Sequence, residues 1–188
     1  MRKLFFLIIV YTCFVSVIVN AQETDVSSNG TMDPKAAVHY NTAVQFMKAE
    51  KFEDALKSID SSLMIAKDYK IYYLQGQANL KLGNTADAIN SFSESVKLNP
   101  NYDLGWMALG NAHLALKEYD MAINDFNKVA EVTKDTNIKS KADESIKFTL
   151  NTKSIDFYNK GNELNKQNKF EEAVLSYDQA LSISKDPK

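Results

Sequence analysis

The apolar positions fall into two patterns. The first is an apolar run from Leu4 to Val19, preceded by Arg2 and Lys3 and followed by Val19-Asn20-Ala21 before Gln22. A positive start, an apolar middle and small residues near a cut site make up a secretory signal peptide, here residues 1–21. The run is slightly shorter than the roughly 20 residues of a membrane span, so the alternative is an anchor retained over residues 4–19. Gln22 to Met32 is polar and small, with Ser27-Ser28-Asn29-Gly30, and predicts a flexible linker over 22–33. Asp33-Pro34 then predicts a helix start, with the aspartate as cap and the proline at the first helical position. From there on the second pattern takes over: apolar residues recur at helical intervals.

Within that pattern an alanine recurs at Ala55, Ala88, Ala122 and Ala173. The gaps are 33, 34 and 51, the last being one period plus 17 residues. Each alanine sits in the same surroundings. Upstream are a large residue (His39, Tyr72, Trp106, Phe157) and, four positions later, a small one (Ala43, Gly76, Gly110, Gly161). Phe52, Thr85, Tyr119 and Phe170 lie three residues before the alanine; Ile59, Phe92, Phe126 and Tyr177 lie four after it. A period near 34 belongs to solenoids of helical pairs. Small residues let the two helices of a pair approach, and large ones on the same faces fill the gap. Each pair leaves an apolar face open, so pairs must stack.

Over almost all of Pro34 to Lys188 this pattern resembles the tetratricopeptide repeat family, with Pro100 closing the second unit as the family prefers. His39, Thr85 and Lys160 depart from it. The resemblance implies an all-α fold, a right-handed superhelical solenoid of antiparallel helix pairs over residues 34–188, with repeats at about 36–68, 69–102, 103–136 and 154–187. The extra segment, about 137–153, contains no Gly or Pro, and Ile138, Ala142, Ile146 and Leu150 step by four. That stripe predicts one long helix from about Ile138 to Gln167 leading into the last pair. A break at Asn151-Thr152 is the alternative.

Composition narrows the chemistry. Cys13 is the only cysteine and lies in the apolar run, behind bulky Tyr11 and Thr12, which argues against lipid attachment. With the signal removed, the chain has no disulfide to form and is stable by packing alone. Arg2 is the only arginine, and the net charge of -2 becomes -4 once Arg2 and Lys3 are lost. No basic stripe points to nucleic acid. His39 and His113 fall at core positions far apart in sequence, which predicts structural histidines and no metal site. Glu53, Asp54, Glu171 and Glu172 open second helices, where they favour the helix dipole. No phosphate loop or nucleophile turn is present, so no enzyme activity and no cofactor are expected.

The resemblance also implies where a partner would lie. First helices of this family line a concave groove, and the matching positions here are Tyr40, Tyr73, Met107 and Tyr158, with Val44, Gln77, Asn111 and Asn162 alongside. One turn further are Met47, Leu80, Leu114 and Asn165. Tyrosines supply rigid apolar area with a polar tip, and amides can satisfy both a peptide N–H and its C=O. The simpler alternative is that these side chains only pack between units. The charge clamp that some family members use on a partner's terminal carboxylate is replaced by Tyr40, Val44, Leu74, Met107 and Ala108. The expected function is a non-catalytic interaction module or scaffold for a protein or peptide. The expected location is exported, periplasmic or secreted, in a bacterial cell, with membrane association only if residues 4–19 are retained. The alternative is a structural homo-oligomer assembled through the last pair, where Leu175 and Leu181 lack a covering helix.

Overall fold

Each helix start and turn has a local chemical cause. The computed structural model describes residues 32–185, so the signal-peptide reading of residues 1–21 and nearly all of the linker lie outside the described residues. Among the described residues the elements are α1 (Pro34–Lys48), α2 (Phe52–Leu63), α3 (Tyr69–Lys81), α4 (Thr85–Leu98), α5 (Asp103–Ala115), α6 (Tyr119–Val132), α7 (Thr136–Lys166) and α8 (Phe170–Lys185), with no strand. Asp33 caps α1 as the sequence predicts, accepting from the N–H groups of Lys35 and Ala36 at 2.8 and 3.4 Å. Asp68 does the same for α3, and Asp135 for α7.

All four pairs turn at the same repeat position, on Glu50, Gly83, Lys117 and Asn168, each with positive φ. The following N–H (Lys51, Asn84, Glu118 or Lys169) reaches back five residues to the carbonyl of Phe46, Asn79, His113 or Leu164 at 2.9–3.0 Å. A left-handed residue with this back-bond satisfies carbonyls that the helix end would otherwise leave open.

The helices form four pairs, α1–α2, α3–α4, α5–α6 and α7–α8, and each pair also packs on the next. The fold is thus an all-α, superhelical solenoid of the tetratricopeptide type. Close approach within a pair depends on the small residues. A Cβ built on Gly76 would lie 2.4 Å from Phe92, one on Gly110 2.7 Å from Phe126, and one on Gly161 2.5 Å from Tyr177. Phe92 and Phe126 are fully buried. The first pair uses Ala43 and Ile59, both in its core with Ile71 and Leu74 of α3.

Serine adds a hydrogen bond that the sequence pattern does not announce. Ser62 Oγ donates to the Ala36 carbonyl and Ser95 Oγ to that of Tyr69, both at 2.8 Å and both across 26 residues. In the last pair the direction reverses: Ser154 Oγ donates to the Ala180 carbonyl at 2.9 Å. The first two bonds tie the start of a first helix to the end of its partner, and the third ties the middle of α7 to α8.

The extra 17 residues form no helix of their own. α7 is one helix of 31 residues, about 46 Å long at 1.5 Å per residue. It starts at Thr136, two residues before the expected Ile138, because the Asp135 carboxylate caps it there. Thr149 and Thr152 donate to the carbonyls of Ser145 and Phe148, so these hydroxyls are satisfied inside the helix and no break occurs at Asn151-Thr152. The first half of α7 packs Ala142, Ile138 and Ile146 on Phe126 and Val129 of α6. The second half pairs with α8.

Candidate partner-binding face

The candidate residues stand on α1, α3, α5 and α7, and the first three helices bring theirs close together. Tyr40 and Val44 of α1 are half-buried against the first core cluster. Tyr73 of α3 packs on the second with Leu80 and Trp106. Met107 and Leu114 pack on the third. Gln77 and Asn111 are half-buried beside them. These side chains therefore pack between units and also keep part of their surface open.

Two tyrosines missed by the sequence reading complete the face. The Tyr102 ring meets Tyr69 edge-on at 4.9 Å and Tyr73 at 5.2 Å, while Tyr73 lies 5.7 Å from Phe92. Edge-to-face rings at these separations are favourable contacts beyond their buried area. Tyr69 and Tyr102 occupy different repeat positions, since the second and third units are offset by 34, so the repeat pattern does not single them out. Burial pushes the Tyr73 hydroxyl up to about 12, with Tyr40 adding to the effect, a hydrogen bond with Gln77 opposing it and Asp103 raising it slightly. Tyr40 is raised too, by burial first and then by Asp68 and Tyr69. The hydroxyls thus stay neutral donors over the whole physiological range.

Tyr158 and Asn162 form a separate group. Both lie on the second half of α7, beyond the extra segment. The Tyr177 hydroxyl donates to Asn162 Oδ1 at 2.9 Å, and the Tyr158 and Tyr177 rings are 5.7 Å apart. Tyr158 is 55% exposed, unlike the half-buried tyrosines of α1 and α3.

The histidines split. His39 is half-buried. His113, its side chain 12% exposed, sits with Nδ1 2.6 Å from Asp125 Oδ2 and Nε2 3.8 Å from Glu118. Burial raises the Asp125 carboxyl, and the hydrogen bond and charge of His113 oppose that. The pair links α5 to α6. A second polar cluster joins the α5–α6 turn to α7: Lys117 Nζ and Tyr119 Oη both donate to Asp156 Oδ2, at 2.7 and 2.5 Å. Burial pushes Asp156 up, but the two hydrogen bonds and the Lys117 charge outweigh it and hold the carboxyl below the usual range. No group of three or more metal-ligating side chains occurs among the described residues.

Comparison with known proteins agrees with this architecture. Two family models, both described as tetratricopeptide repeat, match residues 73–137 and 157–187, together just over half of the chain. The chain belongs to the tetratricopeptide repeat family. It is similar to the Hsp70-Hsp90 organising protein of Plasmodium falciparum, 22% identical over 154 residues, covering 73% of this chain and 27% of the relative. The chain spans between 15% and 32% of the length of the curated relatives it matches. Among solved structures, MamA superposes with a TM-score of 0.57 at 20% identity, covering 81% of each chain. The type III secretion chaperone SycD of Yersinia enterocolitica, solved with a peptide of the translocator YopD, gives 0.58 at 15% identity, covering 67% of this chain and 96% of its own. At these identities the solved structures establish the fold.

Proposed function

We propose that this chain is an exported, non-catalytic interaction module that holds an uncharged or mildly apolar segment of a partner protein across α1, α3 and α5. The observation that carries the reading is the run of half-open tyrosines, with Gln77 and Asn111 beside them. Rigid aromatic area with neutral hydroxyls, next to amides that both donate and accept, matches the needs of a peptide backbone. The peptide seen in the SycD structure supports a peptide-holding role for this fold. A partner segment would lie along Tyr40, Tyr73 and Met107, with Gln77 and Asn111 bonding its main chain. Lysine and asparagine clamp positions are replaced here by apolar residues, so a terminal carboxylate is not the feature recognised.

The experiment is crosslinking in the native compartment, identification of the bound protein, and affinity measurement with the purified pair. Tyr73→Ala combined with Asn111→Ala is expected to weaken binding at least tenfold, since a lost aromatic anchor and a lost amide each remove more than about 1 kcal/mol. Asn111→Ala alone leaves the aromatic packing and the Tyr73–Gln77 hydrogen bond intact and is expected to weaken it severalfold, with the thermal unfolding curve unchanged. Wild-type affinity in both variants would sink the reading. Export is tested by N-terminal sequencing of the protein from its host, where Gln22 is the expected first residue. An intact Met1 on protein held in the membrane would instead support the retained anchor.

A further inference from the structure

The last helix pair carries an open seat whose proper occupant can be read from the pair two units earlier. Ser154, Tyr158, Tyr177 and Leu181 stand 85 residues after Tyr69, Tyr73, Phe92 and Val96, the same four positions of the repeat. In the second pair the next unit covers those positions. The Tyr102 ring lies on Tyr69 and Tyr73. Gly105 presses its backbone on Val96, where a Cβ would come within 2.9 Å. Leu109 and Ala112 of α5 complete a shared core with Phe92 and Val96. Val96 is thereby only 4% exposed.

Among the described residues no helix covers the corresponding surface of the last pair. Leu181 is 52% exposed, Tyr158 55% and Ile155 48%. Val174, the counterpart of the core-packed Ile89, is 55% exposed. Between α7 and α8 these residues border a groove of about 450 Å³, lined by Ser154, Ile155, Tyr158, Tyr177, Leu181 and Ser184. Its lining has no charged side chain. Tyr158, assigned to the partner groove by its repeat position, also lines this seat.

We propose that the seat is filled by the same face of a second copy of this chain, giving a two-fold dimer through α7 and α8. Three features of the face select that occupant. It sets exposed apolar side chains (Val174 with Ile155, Tyr158 and Leu181) around an open groove, and two such faces can bury one another. Being uncharged, it meets itself without repulsion. The third feature lies at the other end of the solenoid. Head-to-tail stacking would bring α1 into the seat, and the α1 counterparts of Tyr102, Gly105, Trp106 and Leu109 are Lys35, Val38, His39 and Thr42. That surface has no aromatic ring where Tyr102 stands, and a polar threonine where Leu109 packs. Paired two-fold, the apolar ends close on one another and the polar α1 ends remain outermost. This inference does not depend on the groove of α1, α3 and α5.

Sedimentation velocity of the whole chain as purified from its host, over a concentration series, tests the proposal. Wild type is expected at twice the chain mass. Leu181→Glu and Ile155→Glu are each expected to return it to the chain mass, and Val38→Glu on α1 to leave the dimer intact. All three positions are 48–63% exposed, and matching thermal unfolding curves show that the fold survives. A wild-type monomer at every concentration overturns the proposal, including the case in which a different protein occupies the seat. So does a dimer that both α7–α8 variants leave untouched, and so does an open-ended ladder of oligomers that Val38→Glu dissolves.

Discussion

Gly76 and Phe92 show how a single side chain sets the spacing of a helix pair. The ring occupies the place where a Cβ would be, at 2.4 Å from its calculated position. Gly76→Ala gains helix propensity, about 1 kcal/mol. It also forces the ring or the helix to move, which costs about 1–3 kcal/mol in a packed core. We expect net destabilisation in urea, partly relieved when Phe92→Leu is added. Glu50 is the opposite case. It holds a left-handed φ of 56° at an exposed turn, where an L-residue is disfavoured by roughly 1–2 kcal/mol. Glu50→Gly, matching Gly83 in the next pair, is expected to raise stability by about 0.5–1 kcal/mol, measured as an upward shift in Tm. Tyr73 gives a pH signature. Its hydroxyl ionises near 12 in the fold against an ordinary 10.0, so the neutral form is the one the fold favours. That contribution is complete below about pH 10 and is lost as pH rises from 10 toward 12. Alkaline titration at the phenolate absorbance should show a late-ionising group of tyrosines, since Tyr40 and Tyr119 are raised as well, with one fewer in Tyr73→Phe. The Gly–aromatic pairs were legible in the sequence because they repeat at fixed spacing. The left-handed turns were not, since only Gly83 and Asn168 among the four carry a residue type that signals one.

At the scale of elements, the long helix α7 was readable from four-residue steps of Ile138, Ala142, Ile146 and Leu150. Its braces were not. Asp156 lies 39 residues from Lys117 and 37 from Tyr119, and Lys153 reaches Asp120 across 33, so only the fold brings them together. His113 was expected to be structural, but its partner Asp125 lies on the facing helix and follows no repeat. The continuity of α7 can be tested by Thr152→Pro. Proline there removes the bond to the carbonyl four residues back and clashes with it, at a cost of about 3 kcal/mol or more. The expected result is a lower urea midpoint with loss of the last pair's helical signal. The brace has its own pH dependence. Asp156 ionises below its ordinary 3.8, so its contribution is present above that value and is lost as pH falls below it. Asp156→Asn should flatten the acid limb of the stability curve.

Over the whole molecule, stacking order governs stability. The substantial contacts of each pair are with its neighbours in sequence. Such an array is close to one-dimensional, and its stability sums over units and the junctions between them. The interior pairs hold the largest buried side chains, Phe92 and Phe126, whereas α8 exposes Phe170, Val174, Leu175 and Leu181. The junction between the third and fourth pairs runs through the first half of α7, centred on the fully buried Ala142. Ala142→Glu would bury an unpaired carboxylate there, so this one residue decides whether the last pair shares in the cooperative core. Hydrogen exchange can measure it. In the wild type, amides of α4 and α5 should be the slowest and those at the ends of α1 and α8 the fastest. In Ala142→Glu, α7 and α8 should exchange together and early while α3 to α5 keep their protection, and urea unfolding should split into two steps. Uniform loss of protection along the whole chain would mean that the solenoid unfolds as one unit and that the α6–α7 junction is no weaker than the others.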